Sequence, residues 1–350
     1  MLAHFEQQSL DDENLKIDIS DDDGQSRNLL KILNQTFSLS KIEPFDAYHL
    51  SFFAMLPLED VQFNDLVDWF GEEHRSVSRT TLTNVINNLH AKGLIERQGN
   101  QITMHKVLRD SIIYQERTED LPFLSQLHNV WRLILVLKKG ADHNLHLALR
   151  FLKFGEAILK VIDEPHRKTI YQPLLQLENE VLHIYNWIGK DNTSLKWKNL
   201  FERAESHLDP TDPLLGLISN NFGIALAADG NIDQAFEYFE KAVSILSLHK
   251  EIIPKLFISI CNLCHLFVQQ KKMDRFRECF DNLENLRKKH NVYDDVSISI
   301  QCQVLALANY ELANFPKAIE LFKLAINLHK ELPPENRNDA FLMHYYTKIG

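Results

Sequence analysis

The sequence has few of the residues that interrupt helices and form tight turns. Among its 350 residues there are 11 glycines and 11 prolines, which leaves little room for an architecture of many short strands joined by turns. Hydrophobic residues make up 45% and charged residues 25%, ordinary proportions for a chain that buries a core. The composition therefore favours an all-α fold, and the length allows two or three domains.

Positive charge is also in short supply, because the formal net charge is -10. Non-specific binding to nucleic acids or to anionic membranes depends on an excess of lysine and arginine. The charge balance argues against both partners for the chain as a whole. A local basic patch is still compatible with it.

Three kinds of functional segment are missing from the sequence. No basic start with a following apolar run opens the chain, and no apolar stretch stands out as long enough to cross a bilayer. A G-x-x-x-x-G-K-[ST] loop, which would hold a triphosphate, occurs nowhere. We therefore expect a cytoplasmic chain that does not contact a membrane and does not hydrolyse ATP by itself.

Cysteine is scarce, and the four present, Cys261, Cys264, Cys279 and Cys302, lie inside helical patterns and form no disulfide framework. The Cys261-x-x-Cys264 pair would suit zinc only with a second pair of ligands, and none follows at the right spacing. The 16 histidines and 48 acidic residues also form no recognised catalytic pattern. We expect a protein that is not an enzyme and needs no metal or other cofactor.

Residues 216–249 predict two antiparallel helices. In the first helix, Phe222, Gly223 and Leu226 share one face, which carries two large apolar side chains and a gap where a neighbouring backbone can approach. Gly230, within Asp-Gly-Asn, ends this helix because glycine accepts the left-handed conformation that a helix stop requires.

The second helix carries a small-large-small stripe, in which an aromatic side chain packs between two places of close approach. This stripe and its recurrences are Ala235, Phe239 and Ala242; Trp197, Phe201 and Ala204; Phe276, Phe280 and Leu283; and Ala318, Phe322 and Ala325. The steps between the first residues of successive stripes are 38, 41 and 42 residues. The pattern resembles tetratricopeptide repeats, whose usual period is about 34 residues. The resemblance implies an α-α superhelix over residues 165–350, incomplete in its last repeat.

Residues 28–117 predict a different arrangement. Helical patterns cover residues 63–70 and 79–92, and two short extended runs, 94–97 and 101–104, are joined through Gln-Gly-Asn, which is typical of a hairpin. A closing helix follows. Helices with one small β-hairpin in this order predict a winged-helix domain.

Two other segments complete the domain plan. Residues 1–27 are acidic, with eight Asp and Glu against one Lys up to Gly24, and they predict a solvated, mobile arm or the remnant of an upstream domain. Residues 118–164 predict a pair of helices with a turn at 138–142 and with Trp131 on the buried side of the first helix. We expect this pair to couple the winged helix to the repeats.

A winged helix raises the question of DNA binding. The candidate contacts are Arg79, Asn84, Asn87 and Arg97, side chains that suit phosphates and base edges. Residues 28–116, however, hold 8 Lys and Arg against 11 Asp and Glu, the reverse of the balance in most DNA readers. The charge balance therefore makes nucleic acid a weak candidate partner for this domain.

The Trp-Phe-Gly run at 69–71, the Gly-Leu-Ile-Glu run at 93–96 and the segment that begins Met104-His105 look like the winged-helix domain of NB-ARC signalling ATPases of the STAND class. In that family a Met-His-Asp motif contacts bound ADP through its histidine. The resemblance implies a nucleotide-sensing role for His105, while Lys106 stands in place of the acidic residue. Because this chain lacks a P-loop, the resemblance implies a nucleotide-binding domain supplied in cis or in trans.

The first helices of the repeats present the residues that we expect to line a groove for a protein or peptide ligand. These are Asn220, Ile224, His265, Gln269, Gln303, Leu307 and Tyr310. We expect a non-catalytic regulatory module that binds a protein or peptide through its repeats and relays the event through the winged helix to a nucleotide-binding switch. The alternative is a peptide-controlled, DNA-binding transcription regulator, similar in layout to bacterial peptide quorum-sensing regulators.

Overall fold

A computed structural model provides the structure of the chain. The residues that it describes are 37–58, 61–70, 79–120, 123–143, 145–162, 170–190, 193–290 and 295–331. The chain divides into two compact units, Met1–Val136 with Arg150–Leu177, and Leu137–Leu149 with Glu178–Gly350. The predicted acidic arm at 1–27 and the predicted incomplete repeat at 339–350 lie outside the described residues.

The described N-terminal part, up to residue 118, contains four α-helices and three short strands, preceded by a short 3-10 helix at Leu39–Lys41. In chain order they are α1 (Pro44–Ala54), β1 (Val61–Gln62), α2 (Phe63–Phe70), α3 (Arg79–Ala91), β2 (Glu96–Gln98), β3 (Gln101–Thr103) and α4 (Lys106–Thr118). The buried stripe of α3, formed by Leu82, Val85, Ile86 and Leu89, is the one that its sequence period predicts.

The three strands form one antiparallel sheet in the order β1-β3-β2. Gly99 makes the turn between β2 and β3 with a φ of 62°, so the predicted hairpin is present. β1 is an addition to the prediction, since Val61 pairs with Ile102 and Gln62 with Gln101. Two residues are too few to show the alternation by which a strand is recognised in sequence.

Two longer helices follow, α5 (Leu127–His143) and α6 (Leu145–Val161). The predicted turn at 138–142 is wrong, because α5 continues through it. Gly140 lies inside the helix, where an added Cβ would come within 2.7 Å of the Ala148 backbone nitrogen, so this glycine serves close packing. Trp131 is 38% exposed and not part of the buried side of α5, which is formed by residues such as Leu133.

The remaining eight helices form four consecutive antiparallel pairs. They are α7 (Tyr171–Trp187) with α8 (Thr193–His207), α9 (Pro213–Ala228) with α10 (Ile232–Leu246), α11 (Ile253–Gln269) with α12 (Met273–His290), and α13 (Asp295–Glu311) with α14 (Phe315–Glu331). This part of the chain is a helical repeat region in which the helix pairs resemble tetratricopeptide repeats. Their lengths of 15 to 18 residues account for a period longer than the usual one of about 34 residues.

The same turn ends the first helix of every pair. It has a residue of positive φ at Gly189, Gly230, Lys271 and Ala313, positions separated by 41, 41 and 42 residues. The N–H of the following residue bonds back five residues in each case, as from Asn231 to the Leu226 carbonyl at 2.8 Å. The turns therefore mark four repeats in register.

The turns also explain why the first stripe step is 38 residues. Ala235, Phe276 and Ala318 each follow their turn residue by five positions, whereas Trp197 follows Gly189 by eight. The first loop is longer, and this displaces the stripe of α8 toward the C-terminus.

The sequence predicts a gap at Gly223 that a neighbouring backbone approaches, and the structure fills this gap with a side chain of the second repeat. Phe239 is buried, and its Cε1 lies 2.8 Å from where a Cβ on Gly223 would stand. The gap at Gly223 is therefore filled by an aromatic ring and not by a neighbouring backbone. In α12 the pattern differs, because Cys279 is buried with Phe276 and Leu283 while Phe280 is only half-buried.

One segment of the described chain, Lys250–Gln269, is long and apolar enough to cross a membrane by length and composition. This corrects the expectation that no such stretch exists. The segment includes α11, which packs against α9, α10, α12 and α13. A helix covered on several sides is apolar around most of its circumference, and this explains its composition.

Replacing Gly223 with alanine should destabilise the repeats by about 1–3 kcal/mol, because the added methyl group overlaps the Phe239 ring. Urea unfolding followed by circular dichroism measures the change. The smaller Phe239→Leu side chain in the Gly223→Ala background should recover part of the loss. Helix propensity alone would make Gly223→Ala at least as stable as the parent, because alanine favours a helix more than glycine does. That result would show that the Phe239 ring does not pack tightly against Gly223.

Candidate functional site

The repeated turn gives a common frame for the first helices of the four pairs. Ten residues before it stand Asn179, Asn220, Cys261 and Gln303, and nine before it stand Glu180, Asn221, Asn262 and Val304. Six residues before it stand His183, Ile224, His265 and Leu307. These positions fall on one side of each helix, since residues three and four apart are neighbours on a helix surface.

A continuous chain of side-chain hydrogen bonds joins three of these helices. Asn262 donates to Asn220 at 3.0 Å, Asn220 donates to Asn221 at 3.2 Å, and Asn221 donates to Asn179 at 3.1 Å. Asn179 in turn donates to the Glu180 carboxylate at 3.1 Å. We call these five residues the amide chain.

The amide chain is mostly enclosed. Asn179, Glu180, Asn220 and Asn221 are each less than 10% exposed, and only Asn262 is half-buried. Buried amides need hydrogen-bond partners, and here each bond that crosses between helices supplies one. The amide chain therefore fixes the relative position of α7, α9 and α11.

Four side chains lie one turn further along the same helix faces. His183, Ile224, His265 and Leu307 are all half-buried, and we call them the half-buried row. His183 accepts a hydrogen bond from the Trp187 indole, and His265 accepts one from the Gln269 amide, both at 3.1 Å and both four residues apart. The row alternates imidazole with aliphatic side chains from one repeat to the next.

The seven predicted groove residues lie on α9, α11 and α13, but not in equivalent roles. Asn220 is buried in the amide chain, whereas Ile224, His265 and Leu307 belong to the half-buried row. Gln269 is exposed and bonded to His265, and Gln303 is half-buried. Tyr310 is 51% exposed and stands edge-on to Phe315 at 5.4 Å.

Sequence reasoning missed four members of the amide chain and one member of the row. The 41-residue spacing that relates Asn179 to Asn220 and Asn221 to Asn262 was available in the sequence. His183 stands in the same relation to Ile224. The stripes of the second helices obscure this spacing, because their first step is 38 residues.

Cys261 occupies the position of Asn179 and Asn220 in the third repeat. It is fully buried, and burial raises the pKa of its thiol well above the ordinary value. The thiol is therefore protonated at neutral pH and packs as a small apolar group. Within the described ranges no three His, Cys, Asp or Glu side chains are arranged to hold a metal ion.

The residues proposed for DNA contact only partly come together. Arg79 and Arg97 place their guanidinium groups 5.3 and 5.4 Å from the centre of the Phe63 ring, and Arg97 donates to Asn87 at 2.8 Å. Asn84 is exposed elsewhere on α3. Three of the four candidates thus form one small cluster.

His105 stands at the start of α4. Its Nδ1 accepts a hydrogen bond from the backbone N–H of Val107 at 3.3 Å, which satisfies one of the free donors at the helix N-terminus. Both His105 and Lys106 are exposed. The imidazole therefore has a local structural role, whatever its further contacts.

The second unit thus belongs to the broad class of helical repeat proteins. No family model and no curated protein matches the chain. Among solved structures it is similar to a Rap protein complexed with Competence and Sporulation Factor, at 12% identity and a TM-score of 0.44, over 94% of this chain and 99% of that one. It is also similar to a STAND protein with a tetratricopeptide repeat sensor from Pyrococcus horikoshii, at 14% identity and a TM-score of 0.26. The second match covers 96% of this chain and 56% of that chain, and similarities this distant do not extend to function.

Asn221→Ala should lower the free energy of unfolding by about 1–3 kcal/mol, because it leaves the buried amides of Asn179 and Asn220 each without one partner. Asn282→Ala, on the exposed surface of α12, is the matched control and should change stability by less than about 0.5 kcal/mol. Chemical denaturation of both variants measures the difference. If Asn221→Ala is as stable as Asn282→Ala, water replaces the lost side-chain hydrogen bonds.

Proposed function

We propose that the repeats form a non-catalytic module that binds a peptide or an extended segment of a protein along the first helices. The observation that carries this proposal is the half-buried row, repeated at the same position in the first helices of four successive repeats. Its side chains combine hydrogen-bonding imidazoles with apolar contacts, which suits a ligand that has both a polar backbone and side chains. The amide chain supports the row by holding three of its helices in register.

The usual spacing of packed helices would suit an extended ligand. Packed helices lie about 8–10 Å apart, and an extended chain advances about 3.3 Å per residue. Every third ligand residue would then meet the next helix. Alternate contacts would fall on imidazole at His183 and His265, and on aliphatic carbon at Ile224 and Leu307.

We further propose that the described N-terminal elements act as a winged helix that relays binding to a nucleotide-binding switch in the cytoplasm. The order of α1 to α3 and the β1-β3-β2 sheet support the winged-helix assignment. The nucleotide-binding domain would be supplied in cis or in trans. His105 and Lys106 at the exposed start of α4 suit an anionic phosphate, because helix N-termini favour negative charge.

A selected peptide can test the groove. Linear peptides displayed in a library and selected on the full chain would be synthesised and titrated by calorimetry. Leu307→Asp should weaken binding at least tenfold, which corresponds to about 1.4 kcal/mol. Leu324→Asp, a half-exposed leucine on α14, is the matched control and should leave affinity unchanged. If the selected peptides bind Leu307→Asp and Leu324→Asp with equal affinity, they bind to another surface and the proposal is wrong.

A DNA-binding regulator is the second candidate, favoured by the positions of Arg79 and Arg97 over the Phe63 ring. Asn87 joins this cluster through its hydrogen bond with Arg97. Fluorescence anisotropy with a pool of labelled duplexes at low salt is the test. Under the first proposal, binding should be weak and independent of sequence. Tight, sequence-dependent binding that falls steeply with salt and is lost in Arg79→Glu would establish the second candidate in its place.

A further inference from the structure

Two thiols of the third repeat stand in direct contact. The Sγ atoms of Cys264, on α11, and Cys279, on α12, are 3.0 Å apart, and both cysteines are free. A disulfide has a sulfur-sulfur distance of about 2.05 Å. The two atoms therefore need to approach by about 1 Å, a distance within reach of small side-chain rotations.

The two thiols differ in their access to solvent. Both residues are buried, Cys264 completely and Cys279 to an exposed fraction of 9%, and Cys279 borders a surface cleft of about 170 Å³. Arg275, Glu278 and Asn282 on α12 also line this cleft. A small molecule that enters the cleft would meet the sulfur of Cys279 before that of Cys264.

We propose that Cys264 and Cys279 form a redox-responsive pair, oxidised to an intramolecular disulfide by hydrogen peroxide that enters through the cleft. Cys279 attacks the peroxide oxygen, the O–O bond breaks, and water leaves with Cys279 as a sulfenic acid. The Cys264 sulfur then attacks that of Cys279 and displaces a second water. Two thiols and one hydrogen peroxide thus give one disulfide and two waters.

The environment of Cys264 fits the second of these roles. Its hydrogen bond with Cys279 and its burial both raise the pKa of the Cys264 thiol far above the ordinary value. A protonated, enclosed thiol is a poor first nucleophile but is already placed against its partner. The first attack therefore belongs to Cys279.

The bond would constrain a defined part of the repeat. It links two residues that are 15 positions apart, and the turn residue Lys271 lies between them. Residue 265, in the half-buried row, follows Cys264 directly. Formation of the bond is independent of peptide binding, so it can be tested whether or not the proposed ligand exists.

Peptide mapping of the full chain tests the pair. Reduced protein would be treated with hydrogen peroxide, alkylated under denaturing conditions and digested with trypsin, which separates residues 256–271 from 278–287. Mass spectrometry should find these two peptides joined in the parent protein and in Cys261→Ala. Neither Cys264→Ala nor Cys279→Ala should give the linked peptides. Cys302→Ala removes a buried cysteine on α13 and controls for a general loss of core packing. This variant should still form the disulfide.

Thermal unfolding of the same samples provides a second measurement. Oxidation should raise the unfolding temperature of the parent protein by roughly 5 °C or more, because the bond restricts a loop of the unfolded chain. The Cys279→Ala variant should show no such rise. A linkage through Cys261 or Cys302 would overturn the proposal. So would two free thiols after treatment that fully oxidises a small dithiol in the same tube.

Discussion

The left-handed residue that ends each first helix sets the geometry of the repeats. It reverses the chain at the same phase four times, at Gly189, Gly230, Lys271 and Ala313. Because the phase is the same, a given face of every first helix points to the same side of the pair. The amide chain and the half-buried row exist only because those faces coincide from one repeat to the next.

Tight packing between the helices of a pair is the second constraint. Gly223 admits the Phe239 ring, and Gly140 admits the backbone of α6 at Ala148. The two glycines have the same function, but the sequence revealed only the first. Gly223 lies in a periodic apolar pattern, whereas Gly140 lies among lysines and an aspartate, a composition that is typical of a turn.

The repeats could be predicted from the sequence because their stripes alternate small and large residues at a regular interval. The hairpin was predictable from Gly99, whereas β1 was not, because its pairing with β3 is a contact between distant residues. The amide chain was hard to predict for a related reason. Asparagine inside a helix is read as a surface residue unless its partner on the next helix is known, and that partner is about 41 residues away. The helical phase of Asn220 predicts which face of α9 it occupies but not the hydrogen bonds that bury it.

The four turns differ in one respect that affects how the array opens. Glycine takes the left-handed conformation without penalty in the first two repeats, whereas Lys271 and Ala313 adopt it with side chains, at about 1–2 kcal/mol each. In a linear array each repeat is stabilised by itself and by its neighbours. Both strained turns lie in the third and fourth repeats, which contribute only Asn262 to the amide chain. Stability should thus decrease toward the last repeat. The backbone N–H protons of α13 and α14 should exchange with solvent, through local opening, before those of α9 and α10.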